Sequence, residues 1–188
     1  MPKHADPVER RHQVVAALYR VVDAEGLDAA SLPRIARELG ATTGLLQKYF
    51  RSKDELLLFA QDQLTEELTA SVRAVLAQEG SLQERLHKAL CAIALVDDAA
   101  RARVWLAFAA RAAANPVLLQ RHVEGAREIR DLCRHVLEVA GLDGGEAVGL
   151  AALVDGVTVQ RALEPEVMTG EVAARVIGRH LERLWGST

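Results

Sequence analysis

Thr42, Thr43, Gln47 and Lys48 bring two hydroxyls, a carboxamide and an ammonium within seven residues, on what a helix starting at Thr43 leaves as its free face. Short hydroxyl donors and a cation bind phosphate oxygens, and an amide offers the donor–acceptor pair that reads a base edge. The set suits a nucleic-acid groove, provided something holds it outward. The residues just before it supply that support. Ala36 is followed four positions later by Gly40, and six after that by Leu46. Two helices that cross steeply need a small residue at the contact, a residue tolerant of positive φ in the turn, and an apolar anchor from the second helix. Ser31 to Phe50 therefore has helix-turn-helix spacing, with Ile35 and Leu39 as further inward positions.

The chain around this segment reads as all-α, with about nine helices and no alternating run of strand length. A first helix is expected over Pro7 to Glu25, with Val15, Leu18 and Val22 on one stripe and Gly26 at its end. Ser31 caps a second, Thr42 caps a third over Thr43 to Tyr49, and Ser52-Lys-Asp-Glu55 reads as a capping box opening a fourth that runs to about Gln78. A fifth carries Leu82, Leu86, Leu90 and Ile93. A sixth spans Ala102 to Ala114, and a seventh places Leu119, Ala126, Ile129, Cys133 and Val136 on one face. The eighth, Ala147 to Leu163, is apolar on nearly every side, and a ninth covers Glu171 to Trp185.

Composition narrows the class. Of 188 residues 50% are apolar and 26% charged, too apolar for disorder and too charged for a membrane span. Residues 1–53 carry nine Lys and Arg against six Asp and Glu, and the remainder fourteen against twenty, so a basic head precedes an acidic body. The lead from Met1 to Arg11 is polar and has no signal-peptide core, which points to the cytoplasm. Cys91 and Cys133 fit a reducing compartment, with a single bridge as the alternative.

On the residues Ser31-Leu-Pro-Arg-Ile-Ala-Arg-Glu-Leu-Gly40, Ala41-Thr-Thr-Gly-Leu-Leu-Gln-Lys-Tyr-Phe50 and Arg51-Ser-Lys-Asp-Glu-Leu56, the chain resembles the TetR family of transcriptional regulators. The match is specific over about Arg10 to Leu58; beyond it only helix order and Val154-Asp-Gly-Val157 are similar. It departs at Gln47, where the family often has tyrosine, and at Ala41, where it often has valine, so the resemblance does not say which bases are read. The resemblance implies that Ser31 and Thr42 hold phosphates at helix starts, that Thr43, Gly44, Gln47 and Lys48 face the groove, and that Tyr49 and Lys53 grip the backbone. Lys53 also stands at a helix N-terminus, which favours an anion independently of any resemblance. The bland alternatives are a solvated Lys53 and a packed Tyr49.

A basic head of net +3 holds duplex DNA weakly. A homodimer on a palindromic operator is the expected remedy, with recognition helices about 34–36 Å apart or a multiple of that. The eighth and ninth helices are the expected interface, through Ala152, Gly156, Val159, Val176 and Leu184, as a four-helix bundle. The division expected is a DNA-binding domain over residues 1–53 and an effector-binding and dimerisation domain over 54–188.

The resemblance further implies a small-molecule pocket among the fourth to eighth helices. Leu68, Leu90, Trp105, Phe108 and His122 are the candidate lining for an apolar or amphipathic effector, although aromatic residues and an inward histidine serve equally as plain core. Arg111 and Arg130 would receive an anion if they turn inward. His87 and Cys91 share metal-ligand spacing without a third ligand, so no metal and no cofactor is expected. No phosphate loop, H-E-x-x-H motif or nucleophile elbow is present, which argues against an enzyme. The function expected is a ligand-responsive repressor released from its operator. A helical enzyme would be indifferent to alanine at Thr43, Gln47 and Lys48, and a protein adaptor would bind with little salt dependence.

Overall fold

The computed structural model describes residues 6–186, all helix and connecting turns; the polar segment 1–5 and the last two residues lie outside it. The helices are α1 (Pro7–Glu25), α2 (Leu32–Glu38), α3 (Thr43–Gln47), α4 (Lys53–Leu76), α5 (Leu82–Ile93), α6 (Ala99–Ala112), α7 (Pro116–Val139), α8 (Ala147–Leu163) and α9 (Gly170–Gly186).

Most boundaries follow local chemistry. The Asp6 carboxylate accepts from Val8 N–H at 3.0 Å ahead of Pro7, and Gly26, at φ +80°, ends α1. Asp98 and Asn115 cap α6 and α7 by accepting backbone N–H groups at 2.9 and 3.1 Å. Asp98 thus starts α6 three residues before the expected Ala102. The expected capping box at Ser52 is half formed: Ser52 Oγ accepts from Glu55 N–H at 3.1 Å, but the Glu55 carboxylate accepts from Arg51 N–H at 2.8 Å. The reciprocal box forms at Ser81 and Glu84 instead, opening α5.

The helices bury three connected cores. The head core gathers Val14, Val15, Leu18, Val21, Ile35, Ala36, Leu46 and Phe50 with Leu56, Leu57 and Ala60 of α4, and it also takes Val104, Phe108 and Ala112 of α6 and Leu118 of α7. Packing is therefore continuous across residue 53. The body core joins α5, α7, α8 and α9, and a small central cluster of Leu64, Leu68, Leu95, Ala102 and Ala162 lies between. On α7 the inward residue of the first turns is Leu118, fully buried, and Leu119 is 44% exposed, a one-residue correction to the expected stripe.

Helix α8 also departs from expectation. Leu150, Ala151, Val154 and Val157 are buried, yet Val148 and Leu163 are 63% and 65% exposed, and Ala152 and Gly156 lie open on the same outer side. An apolar sequence all round predicts burial all round; a single copy of the chain covers only half of this helix.

Candidate nucleic-acid interface and effector cavity

The head places its polar residues by burying their neighbours. Leu46, 2% exposed, anchors α3 beneath Ile35 and Ala36 of α2. Gly40 at φ +64° makes the bend, and Ala41 N–H closes on Ala36 O at 2.8 Å. Helix α3 is shorter than expected, its last turn tightening through Lys48 N–H to Leu45 O and Tyr49 N–H to Leu46 O. With Leu46 inward, Gly44, Gln47 and Lys48 are exposed and Thr43 half-exposed; beyond Gly44 nothing lies within 4 Å of where a Cβ would stand. A phosphate or base edge can approach the backbone there.

Ser31 and Thr42 are both exposed caps. Their Oγ atoms accept from Arg34 N–H at 3.3 Å and Leu45 N–H at 3.2 Å, which leaves each hydroxyl hydrogen free to donate to an anion. Tyr49 is half-buried against the head core.

Charge in the head is sorted into spent and available. Arg34 pairs with Glu25 at 2.6 Å and Glu38 at 3.1 Å, and Glu38 also takes Arg20 at 3.1 Å. Hydrogen bonds from Arg34 and Arg20 hold the Glu25 and Glu38 carboxyls below their usual range. Arg11 lies over the rings of Phe50 and Phe59, 4.6 and 4.4 Å from their centroids. Lys53 is held differently from its expected role: its Nζ donates to Leu27 O at 2.6 Å. Burial, then repulsion from Arg111, lowers its pKa. The ammonium staples the start of α4 to the α1–α2 loop. Lys48, by contrast, is exposed and meets no carboxylate among the described residues.

Ion pairs and shared packing tie this head to the body. Asp54 takes Arg111 and, at 3.1 Å, the Asn115 side chain; Asp23 takes Arg103; Arg101 sits over the Tyr19 ring, 5.7 Å from its centroid. Arg111 is thus occupied at the head and does not turn into the body.

Inside the body, α4, α6, α7 and α8 leave two narrow slots of about 30 and 40 Å³. Trp105, Gln61, Ile129 and Asp155 border both; Leu68 borders the first, and His122 and Arg130 the second. Two expected lining residues are elsewhere. Leu90 is fully buried in the body core, because α5 packs against α4, α7 and α9 and its end residue Ile93 is the one that borders a slot. Phe108 belongs to the head core: one turn beyond Trp105 it is rotated by about 60°, although its ring is still 6.3 Å from that of His122.

Asp155 and Gln61 were not foreseen. Asp155 is the lone polar residue of Val154-Asp-Gly-Val157, and Gln61 is the polar member of the buried i, i+4, i+7, i+11 stripe Leu57, Gln61, Leu64, Leu68; those interruptions were the available signal. Asp155 is exposed on the outer side of α8, while its inner side borders the slots; loss of water there raises its pKa, against a downward pull from His122 and Arg130. Leu95, at the wall of the first slot, has φ +50°, a strained value for a branched side chain.

An open groove of about 630 Å³ lies between α5 and α9, bordered by Glu84, His87, Gly178 and Trp185. His87 there lies 2.7 Å from Ala174 O and 3.5 Å from Cys91 Sγ. Among the described residues no group of three or more His, Cys, Asp or Glu is placed to hold a metal, and no helix is long and apolar enough to cross a membrane. Both cysteines are free thiols, so the bridge alternative falls; burial pushes Cys91 to about 11 and Cys133 to about 12.

Comparison with known proteins agrees with this layout. Residues 14–59 match the family described as bacterial regulatory proteins, tetR family, and residues 82–186 match the C-terminal part of BetI-type transcriptional repressors. The HTH-type transcriptional regulator PksA of Bacillus subtilis is 30% identical over 98% of this chain and 94% of its own. The regulator BetI 2 of Chromohalobacter salexigens is 31% identical over 98% and 92%. Among solved structures, a transcriptional regulator from Rhodococcus superposes with a TM-score of 0.81 at 26% identity, covering 94% of this chain and 96% of that one. A regulator from Saccharomonospora viridis, solved in complex with choline, shares the fold with a TM-score of 0.79 at 20% identity over 93% and 96%.

Proposed function

The chain belongs to the tetR family of bacterial transcriptional regulators, and from that premise we propose that it is a cytoplasmic, homodimeric repressor that leaves a palindromic operator when a small molecule enters its body. Residues 1–53 read DNA in this account, and 54–188 sense the effector and pair the two copies. The observation that carries it is the outward face of α3. Thr43, Gln47 and Lys48 project where Leu46 cannot, and the hydroxyls of Thr42 and Ser31 flank them as phosphate donors.

Pairing uses the uncovered side of α8. Ala152 and Gly156 admit close approach of a symmetry mate, with Val159 beside them and Val176 and Leu184 half-buried on α9. The effector enters the slots between α4 and α8. The choline complex of the Saccharomonospora regulator supports a small polar effector over a purely apolar one, since Asp155 and the Trp105 indole are groups an ammonium can meet. Entry tilts α4 only to the extent that the effector binds one state better.

The test is a titration of the purified protein against its own promoter DNA. Affinity falls steeply with salt, and alanine at Thr43, Gln47 and Lys48 together removes preference for the operator over random duplex. An unchanged preference in that variant sinks the proposal.

A further inference from the structure

Two opposite charges meet at the slots without meeting each other. Asp155 and Arg130 make no hydrogen bond or ion pair among the described residues, although Arg130 is near enough to act on the Asp155 carboxyl. His122 stands in the same wall, and its ring is 6.5 Å from that of Trp105, which borders both slots. Charges at an apolar cavity keep water only on their outer side, and they lose it when something covers the mouth. The cover comes from α8: Asp155 lies on its exposed side beside Gly156, where a second copy would sit. Each charge then needs a partner from the cavity itself.

We propose that the slots are the closed form of a site for a small aliphatic zwitterion. Its ammonium end is taken by Asp155 against the Trp105 indole, and its carboxylate by Arg130 and His122. This rests on the effector reading and narrows it to a class. A lone cation leaves Arg130 unpaired beside a like charge, and a lone anion does the same to Asp155. The occupant is larger than either slot, so the shared walls must move. The polar groups the two slots share are loosely tied: the Gln61 amide reaches Thr65 Oγ1 only at 3.5 Å and Asp155 is unpaired, and the neighbouring Leu95 carries backbone strain.

Calorimetry on the purified full chain tests the class with a ladder of ω-amino acids from β-alanine to ε-aminocaproate, together with their N-trimethyl forms. Each is paired with the alkylamine and the alkanoate of matching length, so that the ladder samples the separation of the two charges. At least one zwitterion is expected to bind about tenfold or more tightly than both matched compounds. Asp155→Asn removes its advantage over the alkanoate, and Arg130→Gln its advantage over the amine. A matched amine or alkanoate that binds as well as every zwitterion overturns the proposal, as does the absence of zwitterion binding at millimolar concentration. Operator release is measured separately by gel mobility. Charge-selective binding without release keeps the site and refutes the effector reading. Release by compounds indifferent to both substitutions keeps that reading and refutes the site.

Discussion

Replacing Lys53 with methionine separates two jobs that one ammonium cannot perform together. In the structure Nζ is spent on Leu27 O at 2.6 Å, which joins the first turn of α4 to the α1–α2 loop. A hydrogen bond to a charged group contributes about 1.5–3 kcal/mol. The lower end applies here, because burial and Arg111 already disfavour the charged form and the aliphatic stem survives in methionine. The expected loss is therefore about 1.5 kcal/mol, or about 3–6 °C in Tm for a chain of this size. Operator binding should keep its salt dependence, since no phosphate contact is removed. Lys48→Met is the mirror image: the residue is exposed and unpaired, so Tm stays and the slope of log affinity against log salt falls by about 0.9. Thermal melts and salt titrations of the two variants decide the matter. If Lys53→Met lowers the slope by a full contact, the staple opens on DNA and the phosphate role implied by family resemblance is the true one.

Gly40→Ala should cost about 1–2 kcal/mol through backbone strain alone, because a Cβ there meets nothing within 4 Å, and Gly40→Asn should recover part of it; equal losses would move the cause to sterics. Ala152→Glu puts a charge on the uncovered side of α8 and should yield monomers in sedimentation with weakened operator binding; an intact dimer would place the interface elsewhere. Asp155 has a pKa raised above its usual 3.8, so above that pH the folded state holds its proton more tightly than the unfolded one, and stability falls as pH rises through the interval between the two values. Asp155→Asn should accordingly raise Tm at neutral pH, and the gain should vanish in acid below the usual value; a pH-independent gain would point to packing.

The head was legible residue by residue because its determinants are local. A cap acts on N–H groups two or three residues away, a glycine bend acts on its own φ, and Ala36, Gly40 and Leu46 lie within one helix-turn-helix unit, so Ser31, Thr42 and the outward side of α3 follow from spacing. The body was legible only as helices. Whether Leu118 or Leu119 faces inward, whether Leu90 or Ile93 reaches the slots, and whether α8 is covered on both sides depend on how helices rotate against partners far along the chain. The same holds for single side chains. Lys53 finds its acceptor 26 residues back, Arg111 pairs with Asp54 across 57, and the Asp155 carboxyl is perturbed by α7 packed beside it. Sequence alone determined which residues could cap, bend and project; tertiary packing decided which charges remained unspent, because pairing and desolvation exist only once distant helices are brought together.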